Sequence, residues 1–187
     1  MNHKENDLVL PGDILCSYEE YIASDWTYVE DGYVKASING KIRIDNEEKT
    51  ISIISGNAPE SLKLNDLVIG YITEVKSNKA LVTIKAIKNN NRDLITAYKG
   101  FIHVSKATDG FVTSMHELFK IGDIVEAKVV NIIESEYVDL STSDLETGVI
   151  KAMCTDCRQF MKFNKNKLVC ECGNTDSRKI SINYGGF

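Results

Sequence analysis

The chain has 187 residues, with 43% hydrophobic and 26% charged side chains and a formal net charge of -5. That composition excludes wholesale disorder and leaves room for one large domain or two to three small ones. No apolar run approaches the roughly 20 residues that span a bilayer, and the polar opening, residues 1–7, does not read as a signal peptide, so a cytoplasmic protein without a membrane partner is expected. An acidic total argues against nucleic acid, but its distribution is uneven. Residues 1–60 carry a net charge of -7, residues 61–150 carry -2 and residues 151–187 carry +4.

Residues 8–54 predict a separate small β-domain. Pro11 biases Leu10 toward an extended entry. Strands follow at residues 14–18, 27–30, 33–37, 41–44 and 50–54, with Asp31-Gly32 and Asn39-Gly40 as hairpin turns in one meander. Cys16 reads as a small buried residue of the first strand. The segment is short for a core of its own and acidic, so it suits protein docking better than RNA binding.

Residues 55–59, rich in turn formers, mark a boundary. Residues 64–143 then read as five strands: 67–75, 80–87, 99–104, 124–133 and 138–141. A short helical turn interrupts them, with Ser114 as its cap and Glu117 answering three residues later in a capping box. Five strands and one brief helix fit a closed barrel of the oligonucleotide-binding (OB) kind. A polar loop at residues 89–93 lies at its basic end. Residues 142–150 form a second joint, either a short helix or an extended linker.

Between residues 76 and 106, Lys76, Lys79, Lys85, Lys88, Arg92, Lys99 and Lys106 face only Asp93, whereas residues 107–146 hold 2 basic and 9 acidic groups. The split suits a phosphate-attracting face beside one that repels phosphate, or a solvated surface of alternating patches. Phe101 and His103 flank Ile102, so both point to one side of their strand, outward if Ile102 enters the core. Single-stranded RNA would stack on exposed aromatics and run along cations. Lys79, Lys85, Arg92, Phe101 and His103 are therefore the candidate RNA-binding residues. His103 could instead be a hydrogen-bonded structural imidazole, and Phe101 a cap over the barrel edge.

Near the C-terminus stands Cys154-Thr155-Asp156-Cys157, then 12 residues, then Cys170-Glu171-Cys172-Gly173. Clustered cysteines in a cytosolic chain point to metal before disulfides. Zinc takes four tetrahedral thiolates in closed structural sites, and Arg158, Lys162, Lys165 and Lys167 could offset their charge. The pattern resembles a rubredoxin-like zinc ribbon. Its second pair has one intervening residue where a knuckle has two. A zinc held by Cys154, Cys157, Cys170 and Cys172 through a distorted turn, or a ribbon that folds without metal, are both open. His3, His103 and His116 are far apart in the chain, and no phosphate loop or paired carboxylates stand out, so catalysis is not expected. The chain reads as all-β, with an N-terminal β-domain over residues 1–59, a barrel over 60–146 and a ribbon over 147–187.

Several blocks also carry a resemblance. Asp66-Leu67-Val68-Ile69-Gly70-Tyr71-Ile72 resembles the opening strand of an S1 RNA-binding domain. Gly100-Phe101-Ile102-His103-Val104-Ser105 resembles its third strand. Ile121-Gly122-Asp123-Ile124-Val125 and Leu140-Ser141 resemble its fourth-strand entry and last strand. The resemblance implies that His103 belongs to the RNA face. Strong S1 binders have an outward aromatic where this chain has Leu81, and often a basic residue where it has Glu134-Ser135-Glu136-Tyr137. Weak, sequence-tolerant binding strengthened by avidity is therefore expected, with Tyr137 able to stack.

The order of an acidic β-domain with Leu10-Pro11-Gly12-Asp13, an S1 barrel and a zinc ribbon resembles the Csl-type RNA-binding cap subunits of the archaeal exosome. That resemblance implies a non-catalytic subunit, three copies of which cap a ring of RNase PH-like phosphorolytic subunits. It would help thread RNA into the ring for 3′–5′ degradation or processing, and a primase-like protein would bind the same cap. Two other classes stay open. One is an S1 accessory factor of translation or transcription. The other is an acyl-CoA-binding scaffold of barrel and ribbon, although there the ribbon usually precedes the barrel.

Overall fold

The computed structural model describes residues 4–56, 58, 61–90, 94–110, 112–134, 137–164 and 167–186, apart from the side chain of Glu134. Among these residues the chain is all-β, with two single-turn 3-10 helices. It divides into two compact units, Met1–Ala58 and Pro59–Phe187.

The first unit holds β1 (Leu8–Val9), β2 (Ile14–Ser17), β3 (Ile22–Ala23), β4 (Thr27–Glu30), β5 (Tyr33–Ala36), β6 (Gly40–Asp45) and β7 (Thr50–Ile54). They form two sheets, β1-β6-β7-β3 and β2-β5-β4, in place of the single meander expected. The Asp31-Gly32 hairpin forms as expected: both residues have positive φ, and Glu30 pairs with Tyr33. Asn39-Gly40 does not make a second one. Gly40 opens β6, where a Cβ would strike the Ile54 carbonyl, and β6 pairs with β1 and β7. The hairpin instead closes between Asp45 and Thr50, with the Asp45 carboxylate accepting the N–H groups of Glu47 and Glu48. Residues of both sheets, Val9, Leu15, Cys16, Val34, Ala36, Ile42, Ile51 and Ile53, share one core, alternating along the strands except at the β2 irregularity, where Leu15 and Cys16 are both buried.

The second unit opens with β8 (Leu67–Val75), β9 (Lys79–Ile87), β10 (Lys99–His103), β11 (Ile124–Glu134) and β12 (Tyr137–Ser141). Their order β8-β9-β10-β12-β11 closes on itself through the β11–β8 pairing, giving the OB barrel. Val68, Ile72, Val82, Ile84, Ile102, Val125, Val129, Val138 and Leu140 fill the interior. A Cβ on Gly100 would collide with Leu140, so glycine here lets that side chain into the core. The Ser114 turn is 3-10, over Met115–Glu117; its hydroxyl takes the N–H of His116 rather than that of Glu117.

The joint at residues 142–150 is neither a helix nor fully extended: it makes one turn, with the Thr147 N–H and hydroxyl both donating to the Asp144 carbonyl. It leads into β13 (Gly148–Lys151), which adds to the barrel beside β11. Beyond it, β14 (Lys162–Asn164), β15 (Lys167–Val169) and β16 (Thr175–Asp176) make a small antiparallel sheet, the zinc-ribbon fold. Ala152, Met161, Leu168 and Cys170 join the barrel's own core. A buried ion pair ties the two parts: Arg178 Nε lies 2.7 Å from Asp123 Oδ2, with both side chains at 0% exposure. Asp123 also accepts the N–H groups of Lys120 and Met153, and Arg178 Nη1 reaches Asp176 Oδ2 at 2.6 Å. Each buried charge thus has partners, as low-dielectric burial requires.

Candidate nucleic-acid interface and metal centre

Strand alternation sorts the barrel residues into an inner and an outer set. On β10, Ile102 is fully buried, while Phe101 and His103 face out. Lys79, Leu81, Thr83 and Lys85 stand on the outer side of β9, and Tyr137 and Asp139 on that of β12. Phe101 and Tyr137 stack with ring centroids 5.8 Å apart and planes 17° from parallel. Lys79 Nζ lies 5.2 Å from the Phe101 centroid, and Lys99 Nζ 5.7 Å from that of Tyr137. Lys85 Nζ sits 5.6 Å from the Tyr71 centroid. Each ring therefore has an ammonium held on it by cation–π attraction. A wall of flat apolar faces edged by cations can stack bases and meet phosphates together. Asp139, opposite Phe101 in register, places one carboxylate beside it.

His103 has two attachments. Its Nδ1 accepts the N–H of Ser105 at 3.3 Å and lies 2.9 Å from the Ser105 hydroxyl, capping the 3-10 turn Val104–Lys106. A neutral ring so held carries its proton on Nε2. The ring is exposed, so the structural and surface readings of His103 describe one residue. Arg92 lies outside the described residues. Lys88, part of the basic run, pairs at 2.5 Å with Glu126, which is 1% exposed. Tyr137, read from the sequence as able to stack, belongs to the wall, and two further wall residues, Tyr71 and Lys99, lie outside the five candidate RNA-binding residues. The outward position of Tyr71 was readable from its place between Gly70 and Ile72, and that of Lys99 from its spacing to Phe101.

The four C-terminal cysteines converge: their sulfurs all lie within 4.8 Å of one another. Cys154 Sγ is 3.7 Å from Cys172 Sγ, and Cys157 Sγ is 3.3 Å from Cys170 Sγ. Tetrahedral zinc with bonds of about 2.3 Å sets sulfurs about 3.8 Å apart, so the donor set fits in number, chemistry and spacing. Gly173, at φ +92°, turns the chain after the shortened pair, and its N–H returns to the Cys170 carbonyl at 3.0 Å. Backbone N–H groups of Cys157 and Asp156 aim at Cys154 and lower its thiol from 9.0 to about 6. Cys170 and Cys172 move up: each receives a lowering N–H, from Cys172 and Asn174, but adjacent thiols and burial outweigh it. Lys162, expected to offset the thiolates, pairs at 2.9 Å with Glu171, which separates the second two sulfurs. Lys165 lies outside the described residues.

Residues 8–45 match the family described as "Exosome complex exonuclease RRP4 N-terminal region". Over 178 residues the chain is 34% identical to "Exosome complex component Csl4" of Archaeoglobus fulgidus, covering 95% of this chain and 96% of that protein. The chain belongs to the Csl4 family of exosome components. Csl4 likeness extends to the mouse protein "Exosome complex component CSL4", 27% identical over 92% of this chain and 91% of that one. "Exosome complex component Rrp4" of Methanothermus fervidus is 30% identical over 79% of this chain and 60% of its own length.

Proposed function

We propose that this chain is a non-catalytic, RNA-binding cap component of the exosome, working in the cytoplasm. Its barrel would receive single-stranded RNA and help pass it to an RNase PH-like phosphorolytic ring for 3′–5′ degradation or processing. The observation that carries the reading is the stacked Phe101–Tyr137 pair with Lys79 and Lys99 on its rings, in a chain of the Csl4 family. Lys79, Lys85, Phe101 and His103 are the proposed RNA contacts, with Arg92 by its place in the basic run.

The work divides by segment. Residues 60–146 hold the RNA. Residues 147–187 form the ribbon, in which Cys154, Cys157, Cys170 and Cys172 hold one structural zinc. The metal crosslinks two turns and supplies no step of a reaction. Residues 1–59 dock to the ring. Support for docking comes from a groove of about 560 Å³ bordered by Leu8, Leu10 and Ile54, exposed at 77%, 65% and 57%. Apolar surface of that kind marks protein contact more often than RNA contact. Three copies per ring, and a primase-like protein on the same cap, complete the proposal.

Affinity purification of the tagged chain from its own cells tests it. Co-purifying RNase PH-like subunits are the expected result. A ribosome or an RNA polymerase in their place would overturn the exosome assignment.

A further inference from the structure

A second feature of the same unit lies where barrel meets ribbon. Ile69, Tyr71, Lys85, Ile124, Met153 and Phe160 surround an almost wholly apolar cleft of about 400 Å³. That volume lies within the range of small-ligand sites. Phe160 is 48% exposed, and Lys151 Nζ lies 5.8 Å from its ring centroid. The cleft thus has two aromatic walls, Tyr71 from the barrel and Phe160 from the ribbon, each with a lysine on it. Gly122 makes room for it: at φ +89° it bears no Cβ, and one would strike the Met153 side chain.

The cleft is continuous with the stacked wall. Strand register gives one row across the sheet: Tyr137 beside Lys99, then Thr83, Tyr71, Ile124 and Lys151. Five strand spacings of about 4.8 Å separate its ends, so the row covers roughly 24 Å along the curved surface. Aromatic and cationic side chains recur along it.

From this we propose that the row is the track of the RNA, and that the cleft takes one unstacked nucleobase between Tyr71 and Phe160. Lys85 and Lys151 then meet the flanking phosphates. An apolar slot with cations at its rim matches a nucleotide, which joins a flat π-face to an anion. The inference rests on RNA binding by the barrel, and it adds the ribbon as a second wall of the site.

The test is fluorescence anisotropy of the full-length protein with a labelled 12-nucleotide single-stranded RNA. Phe160→Ala, Phe160→Trp and Phe101→Ala are compared with the unaltered chain. Loss of one stacked base should weaken binding about fivefold or more in Phe160→Ala, and Phe160→Trp should restore it. Unchanged affinity in Phe160→Ala, beside weakened binding in Phe101→Ala, would overturn the cleft and leave the barrel reading standing. Failure of Phe160→Trp to restore a loss would mark that loss as structural and also overturn the proposal. No RNA binding by the unaltered chain would remove both readings.

Discussion

Phe101 concentrates the argument at the level of single residues. It stacks on Tyr137, carries Lys79 and lies between a buried Gly100 and a buried Ile102. Replacing it with alanine removes the proposed base platform and leaves the core intact. RNA affinity should fall by about 1–3 kcal/mol per stacked base, roughly fivefold to 150-fold, with the urea midpoint little changed. Gly100→Val predicts the opposite pattern. Its side chain would enter the space of Leu140, so stability should fall by about 1–3 kcal/mol in urea unfolding. An unchanged midpoint in Gly100→Val would contradict the packing described. Alternation made Phe101 and His103 legible in the sequence, because a strand assignment fixes which side each faces. It did not make Tyr71 legible as a site residue. Tyr71 gains its meaning from Phe160, 89 positions later, which lines the same cleft, and local spacing carries no information about that juxtaposition.

Elements differ in how clearly the sequence announces them. The five barrel strands lie within one residue of expectation at every end, because long β-branched runs bounded by turn residues admit few readings. The strands β1 and β3, two residues each, carry no period and exist through their partners β6 and β7. Fusion of barrel and ribbon into one core was equally hidden, since Asp123 and Arg178 stand 55 positions apart. That pair predicts a stability effect. Arg178→Met leaves the Asp123 carboxylate buried without its guanidinium and should cost about 3–5 kcal/mol in denaturant unfolding. A cost near zero would mean that the clamp is dispensable. The cysteine cluster predicts one zinc per chain by metal analysis, and chelation should expose all four thiols to a thiol reagent. Absence of zinc after reconstitution under reducing conditions would assign the ribbon a metal-free fold.

For the molecule as a whole, the two compact units hold separate cores. Residues 59–187 alone should therefore fold and keep RNA affinity, and lose co-purification with the ring. Retention of the ring by that fragment would move docking away from the first unit. Net charge, at -5, misreads the protein, because residues 1–60 carry a net -7 while Lys79, Lys85 and Lys99 gather on one barrel face. The most direct test of that cationic wall is the salt dependence of RNA binding by the full-length chain, with and without the paired reversal Lys79→Glu and Lys85→Glu. Each lost phosphate contact should lower the slope of log affinity against log salt by about 0.7, so the double variant should lose about 1.4. An unaltered slope and affinity in that variant would contradict RNA binding on this face.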